Sequence, residues 1–303
     1  MRYRRTALLT GLFMPLVLLS GLMSSAARGG PGVRFGAAAY QISKVDEAHF
    51  SATSTDPVFV LLIGNDARPG QVASRGDALH LVGVNPASGQ ATILNIPRDL
   101  WINIPGRGTD KVNAAFLTGG ARLQARTISQ LVGVAIPYVI TTGFEGFMAM
   151  VDEMGGVEVN VPFAMADPTS GAFFPRGPVH MLGGEALAIS RNRNLGGGDF
   201  TRSENQTRVI LAGLAKLRGE GPTTTKIIHW LSVLLRNVTL DGASYTDVYN
   251  LGRLALSIDP ANVRSVTVPG STGESAGQSV VFLGGGASSL FADMRDDAIL
   301  QRN

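Results

Sequence analysis

The chain has 303 residues, 45% of them hydrophobic, which is enough for one large domain with room for a tail or a small second lobe. It contains no cysteine, so disulfides, thiolate metal sites and cysteine nucleophiles are excluded. A net charge of +3, from 26 basic and 23 acidic residues, is too mild to argue for nucleic acid.

Among the basic residues only Lys44, Lys111, Lys216 and Lys226 are lysines; the rest are arginines, which suit planar recognition of phosphate. The chain opens on Arg2, Arg4 and Arg5, followed by an apolar stretch over residues 7–23. No charge falls between Arg5 and Arg28. This predicts a transmembrane anchor within residues 1–27, a cytoplasmic basic tip and everything after it outside the membrane. A cleavable signal peptide is the competing reading, since Ser25 and Ala27 are small residues in suitable places. Residues 28–56 are rich in Gly, Ala, Ser and Thr and read as a spacer, with some structure near residues 33–50. The extracytoplasmic domain is then expected over residues 57–303.

Residues 58–63 form a continuous apolar, β-rich run, and so a buried strand. Residues 78–85 and 90–96 are two more strand-like runs, with Pro86-Ala87-Ser88-Gly89 as the hairpin turn between them. Helices are expected over 112–117 and 123–132, a strand over 138–141, and a helix through Phe144, Phe147, Met148 and Val151 that Gly155 and Gly156 stop. Those apolar residues read as core. A strand over 157–161 precedes a long Pro/Gly-rich loop to about His180. A short helical piece at 185–189 follows. The spacing of Thr201 and Glu204 matches a capping box, so a helix is expected over 203–218, with Ile210, Leu214 and Leu217 as its buried stripe. Helices at 224–236, 246–257 and 288–295 and strands at 263–268 and 279–283 complete the chain. The alternation argues for an α/β fold layered α-β-α, and the hairpin makes its central sheet mixed.

Charge falls at predicted strand ends. Asp66 and Arg68 follow the first strand, Arg75 and Asp77 precede the second, and Arg98 and Asp99 follow the third. If the second strand is antiparallel to the first, all three pairs gather at one end of the sheet, where α/β folds place their sites. Arg191 and Arg193, two apart, point to one side of an extended backbone. Arg202 and Gln206 share a helix face near an amino terminus that favours anions. Several fixed cations with two or three carboxylates suit a phosphate–metal complex, with Asp66 and Asp77 as the natural ligands for Mg²⁺ (or Mn²⁺). The four histidines fit no metal spacing, and His80 reads as packed.

These segments, in order, resemble the LytR-CpsA-Psr family of cell-wall transferases. The matching stretches are residues 59–68, Arg75-Gly76-Asp77, residues 95–99 and residues 111–116. Gly119-Gly120, residues 155–159 and 184–187, Arg191-Asn192-Arg193, and residues 199–202 with Gln206 complete the set. The motif core spans residues 58–218. The resemblance implies an α/β fold with an apolar groove for a polyprenyl chain. It also implies transfer of a glycopolymer from a polyprenyl-pyrophosphate carrier to peptidoglycan by phosphodiester formation, in cell-wall assembly at the membrane. By resemblance Asp66 and Asp77 hold the metal, and Arg68, Arg98, Arg191, Arg193, Arg202 and Gln206 bind pyrophosphate. Arg98, Asp99 and Asp77 are the expected catalytic residues. Asp99 and Asp199 look like residues that orient arginines, though either could be proposed as the general base. Asn205 stands where the family often has an arginine, which leaves open a binding or regulatory protein with weak or no catalysis.

Overall fold

The computed structural model describes residues 40–45, 55–65, 75–193, 199–219 and 238–301. The expected anchor at 1–27, Asp66, Arg68 and the helix at 224–236 lie outside them. Among the described residues no helix is long and apolar enough to cross a membrane.

A seven-stranded mixed sheet organises the domain. Its strands are β1 (Tyr40–Lys44), β2 (Val58–Asn65), β3 (Gly76–Asn85), β4 (Gln90–Asn95), β7 (Tyr138–Thr142), β12 (Val238–Asp241) and β13 (Val263–Thr267). They lie in the order β12-β1-β7-β2-β3-β4-β13. β2, β3 and β4 are mutually antiparallel, whereas β2–β7, β1–β12 and β4–β13 are parallel. The expected mixed α/β sheet is therefore present. β1 falls inside the stretch that reads as a spacer. Its Tyr40 and Ile42 are buried, so the domain extends further toward the amino terminus than residue 57.

Strand alternation sorts side chains between two helical layers. Phe59, Leu61 and Ile63 of β2 and Leu79 and Leu81 of β3 face one layer. There they pack with Ile128 and Val132 of α1 (Ala114–Val132) and with Phe291 and Met294 of the carboxy-terminal helix (Ala287–Asp297). The other face meets α2 (Phe144–Glu153), α3 (Gly183–Arg191), α4 (Asp199–Gly219) and α5 (Tyr245–Ser257), which makes the Ala287–Asp297 helix α6.

Several other elements depart from the sequence expectation. The two helices expected over 112–132 form the single α1, kinked where Gly119 and Gly120 leave helical geometry. A hairpin, β5 (Trp101–Ile104) and β6 (Gly108–Lys111), intervenes after Asp99. The loop expected over 162–180 contains β9 (Met165–Asp167), β10 (Ala172–Phe174) and β11 (Gly177–Met181), with β11 pairing to β8 (Val157–Val161). Finally, α4 starts at Asp199, not after a Thr201 cap, and Arg202 in its first turn bonds the sheet edge at the Asp77 carbonyl. A further hairpin of β14 (Gly270–Ser275) and β15 (Gln278–Leu283) precedes α6.

Candidate functional site

The antiparallel pairing of β2 with β3, and of β3 with β4, brings the end of β2, the start of β3 and the end of β4 to one edge. Pro97 ends β4 without needing a ladder partner, and Arg98 follows it. There the Arg98 guanidinium reaches Asp77, with Nη1 donating to Oδ1 at 2.5 Å. On its other side Arg98 Nε lies 3.5 Å from Asp99 Oδ2, and Lys111 Nζ lies 3.2 Å from Asp99 Oδ1. The carboxylates thus hold Arg98 in place from two directions. Arg202, only 4% exposed, donates from Nη2 to the Asp77 carbonyl at 2.9 Å and ties α4 to the start of β3.

These groups stand at one end of a cavity of about 1180 Å³. That exceeds the usual range for small-molecule sites. Its floor is the sheet face of Val60, Leu62, Val82, Val84 and Ile93. Its walls come from Phe144, Phe147 and Met150 of α2, Ile210, Leu214 and Leu217 of α4, and Leu251 and Leu254 of α5. The aromatic residues of α2 and the Ile210 stripe, both expected as core, are only half-buried because they face this open space.

Of the expected site residues, Asp77, Arg98, Arg191, Arg193, Arg202 and Gln206 all line this cavity. Arg191 ends α3 and stands 5.2 Å over the Phe144 ring, a cation–π contact that fixes its stem. Arg191 closes the helix and does not lie in an extended run as the spacing suggests, yet Arg191 and Arg193, on either side of buried Asn192, are exposed and both line the cavity. Gln206 donates from Nε2 to the Ser190 carbonyl at 3.1 Å, linking α4 to α3. Asp99 does not line the cavity, and its contacts are to Arg98 and Lys111. Arg75 is exposed and also outside the lining. Asn205 is fully buried, away from the lining, and accepts from Arg208 Nη1 at 2.9 Å.

A polar network beneath the arginines was not anticipated. The Pro86–Gly89 turn sets a register that pairs His80 with Asn95 directly across β3 and β4. His80 Nδ1 lies 2.7 Å from Asn95 Oδ1, which also accepts from Thr207 Oγ1 at 2.9 Å. Asn95 Nδ2 donates to Ser265 Oγ at 3.0 Å; with the amide in this orientation Oδ1 faces the histidine, and Nδ1 then carries the proton. Among the described residues Nε2 has no hydrogen bond of normal geometry, although Gln206 faces the ring. The signal was in the sequence: two polar residues at mutually facing positions of an apolar hairpin.

Burial pushes the His80 imidazole below its usual range, and nearby Arg202 acts in the same direction, against the Asn95 and Gln206 interactions. A histidine with a depressed folded pKa is neutral in both states above about pH 6.5. Below that, the unfolded chain takes up a proton that the fold resists, so stability falls with pH. Thermal melts from pH 7.5 to 5 should show His80→Gln losing less stability than the parent, by up to about 1.4 kcal/mol per pH unit. Parallel curves would place the acid sensitivity elsewhere.

The LytR_cpsA_psr family model matches residues 35–292, most of the chain. The polyisoprenyl-teichoic acid–peptidoglycan teichoic acid transferase TagU of Bacillus mycoides is 36% identical over 166 residues, covering 54% of this chain and 54% of that protein. The chain thus spans about half the length of this curated relative. Among solved structures, TagT bound to LI-WTA superposes with a TM-score of 0.68 at 25% identity, covering 89% of this chain and 99% of that one. TagV of B. subtilis has the same fold, with a TM-score of 0.68 at 24% identity, covering 80% of this chain and 96% of that one.

Proposed function

We propose, from the premise that this chain belongs to the LytR_cpsA_psr family, that it transfers a glycopolymer from a polyprenyl-pyrophosphate carrier to peptidoglycan. The observation that carries this reading is a large apolar cavity with arginines and a carboxylate gathered at one end. Such a cavity suits a ligand with a long hydrocarbon part and an anionic head. The relative from B. mycoides is named for a polyisoprenyl-linked donor and a peptidoglycan acceptor, in agreement.

In this reading an acceptor hydroxyl oxygen attacks the phosphorus that bears the glycopolymer. A new phosphodiester forms, the bridging P–O bond breaks, and polyprenyl phosphate leaves with the bridging oxygen. The hydroxyl proton passes to a base. Arg98, Arg191, Arg193 and Arg202 neutralise the diphosphate, with Arg68 as a fifth cation, and Gln206 orients it. Asp99 serves as a positioning residue for Arg98. Phosphoryl transfer needs mainly this positioning and charge neutralisation.

A divalent cation fits this donor set. Asp77 lines the cavity and has one oxygen on Arg98, which leaves the other for a metal. One or two carboxylates plus substrate phosphates are the usual way Mg²⁺ is held. Asp77, with Asp66 one residue past the Asn65 that pairs with Gly76, would hold Mg²⁺ or Mn²⁺, which would offset charge on the phosphates. We assign the apolar segment at 7–23 as a membrane anchor, with the domain outside the membrane.

The test is direct. The full chain, given a polyprenyl-pyrophosphate-linked glycan, peptidoglycan fragments and Mg²⁺, should release polyprenyl phosphate, and EDTA should stop it. Tight donor binding with no release would leave a lipid-binding protein instead.

A further inference from the structure

The diphosphate must meet its acceptor next to Arg98 but outside the apolar cavity that holds the carrier. The chain immediately after Arg98 forms the β5–β6 hairpin, and its two faces differ. Ile102 and Ile104 are buried, so Trp101 and Asn103 point to the opposite side. Across the hairpin Trp101 pairs with Lys111 and Asn103 with Thr109, so these four share the outer face. Asn103 and Thr109 are exposed, and Trp101 is half-buried.

On its other edge β5 meets β15 through a parallel bridge between Leu100 and Val281, with the Val281 amide donating to the Asp99 carbonyl at 2.9 Å. Leu100 and Val281 are both buried. The next residue on each strand, Trp101 and Phe282, therefore points to the outer face, where the Phe282 ring lies over Gly273 of β14. Phe282 is 37% exposed. This face thus carries two aromatic side chains and Lys111, whose ammonium reaches Asp99 and through it Arg98.

We propose that this face binds the acceptor sugar of the glycan strand. This deepens the transferase reading and rests on it. A sugar ring offers one face of C–H groups, which stack on aromatic rings, and a rim of hydroxyls for an amide and a hydroxyl such as Asn103 and Thr109. A second lipid chain would need an enclosed surface, and this one is open. A single-stranded nucleic acid would need free cations along the rings, whereas Lys111 and the neighbouring Arg107 are engaged by Asp99 and Asp110. The position fits the chemistry: a sugar on these rings lies beside the chain that holds Arg98, so its hydroxyl has a short path to the phosphorus.

Two measurements test the surface. In transfer assays with soluble peptidoglycan glycan fragments as the varied substrate, Trp101→Ala should raise the acceptor KM at least tenfold. Its kcat and its affinity for the lipid-linked donor should stay within about twofold of the parent, and Trp101→Phe should recover most of the loss. An unchanged acceptor KM in a folded Trp101→Ala protein overturns the proposal. The second measurement needs no turnover. The chain has two tryptophans, so in a Trp230→Phe background Trp101 is the sole indole reporter. Glycan fragments should shift or quench its emission saturably, and Phe282→Ala should weaken that response. No response sinks the acceptor surface even if donor turnover is normal. A saturable response without donor release would retain a glycan-binding face and overturn the transfer reading instead.

Discussion

Arg98→Ala is expected to lower transfer by about 10²–10³-fold while leaving the fold intact, the magnitude typical of losing one preorganised group that stabilises developing charge. The side chain does little for stability. It is 21% exposed, and its pairs with Asp77 and Asp99 are partly solvated. Such pairs contribute about 1 kcal/mol or less. Asp99 keeps Lys111 as a partner when Arg98 is gone. Asp77 keeps its carbonyl contact with Arg202, so β3 and α4 stay joined. What is lost is a fork of donors held from both sides, aimed into the cavity and able to grip two phosphate oxygens at once. Arg98→Lys should fall between parent and alanine variant, because an ammonium restores the charge but not the planar fork. Release of polyprenyl phosphate under saturating donor, with melting curves alongside, checks this. Activity within tenfold of the parent in a folded Arg98→Ala protein would move the diphosphate away from this edge.

The strand ends that build this site were legible for a simple reason. β2, β3 and β4 are long apolar runs with one clear turn, and antiparallel pairing alone then forces Asp77 and Arg98 together. The short strands were not legible. β5, β6, β9 and β10 have three or four residues each, too few for a period of two to show, and Gly and Pro surround them. β1 was hidden in a Gly/Ala/Ser-rich stretch because its stability comes from lying between β7 and β12. The cavity poses a different problem. Phe147 and Leu214 have the spacing of core residues, and nothing in a periodic pattern separates an apolar face that meets another element from one that meets an empty groove. Only the family resemblance supplied the groove. His80 illustrates the converse. A polar residue in an apolar strand reads as an oddity, yet its hairpin register names Asn95 as the partner and predicts a polar network below the arginines.

The position of those arginines depends on a contact far from any charge. Gly183→Ala should destabilise the domain by about 3 kcal/mol, the upper end for forcing an atom into packed structure. Gly183 is the first residue of α3, its amide donating to Asp152 Oδ1 at 2.7 Å. A Cβ there would sit 2.3 Å from the Met148 carbonyl oxygen and 2.7 Å from its Cα. Those atoms belong to the backbone of α2, so no rotamer change relieves the clash, and the two helices must separate. At this size each kcal/mol moves the melting temperature by roughly 2–4 °C, so a drop of about 6–12 °C is expected. Gly184→Ala is the control. A Cβ at that position meets nothing within 4 Å, and alanine favours the helix by about 1 kcal/mol over glycine. The neighbouring substitutions should therefore move stability in opposite directions. Function should follow the same contact. α3 carries Arg191 at its far end, leaning on Phe144 of α2, and Ser190 beside it holds Gln206. Pushing α3 off α2 displaces two of the proposed diphosphate ligands at once, so whatever Gly183→Ala protein remains folded should show a raised donor KM, and Gly184→Ala should not.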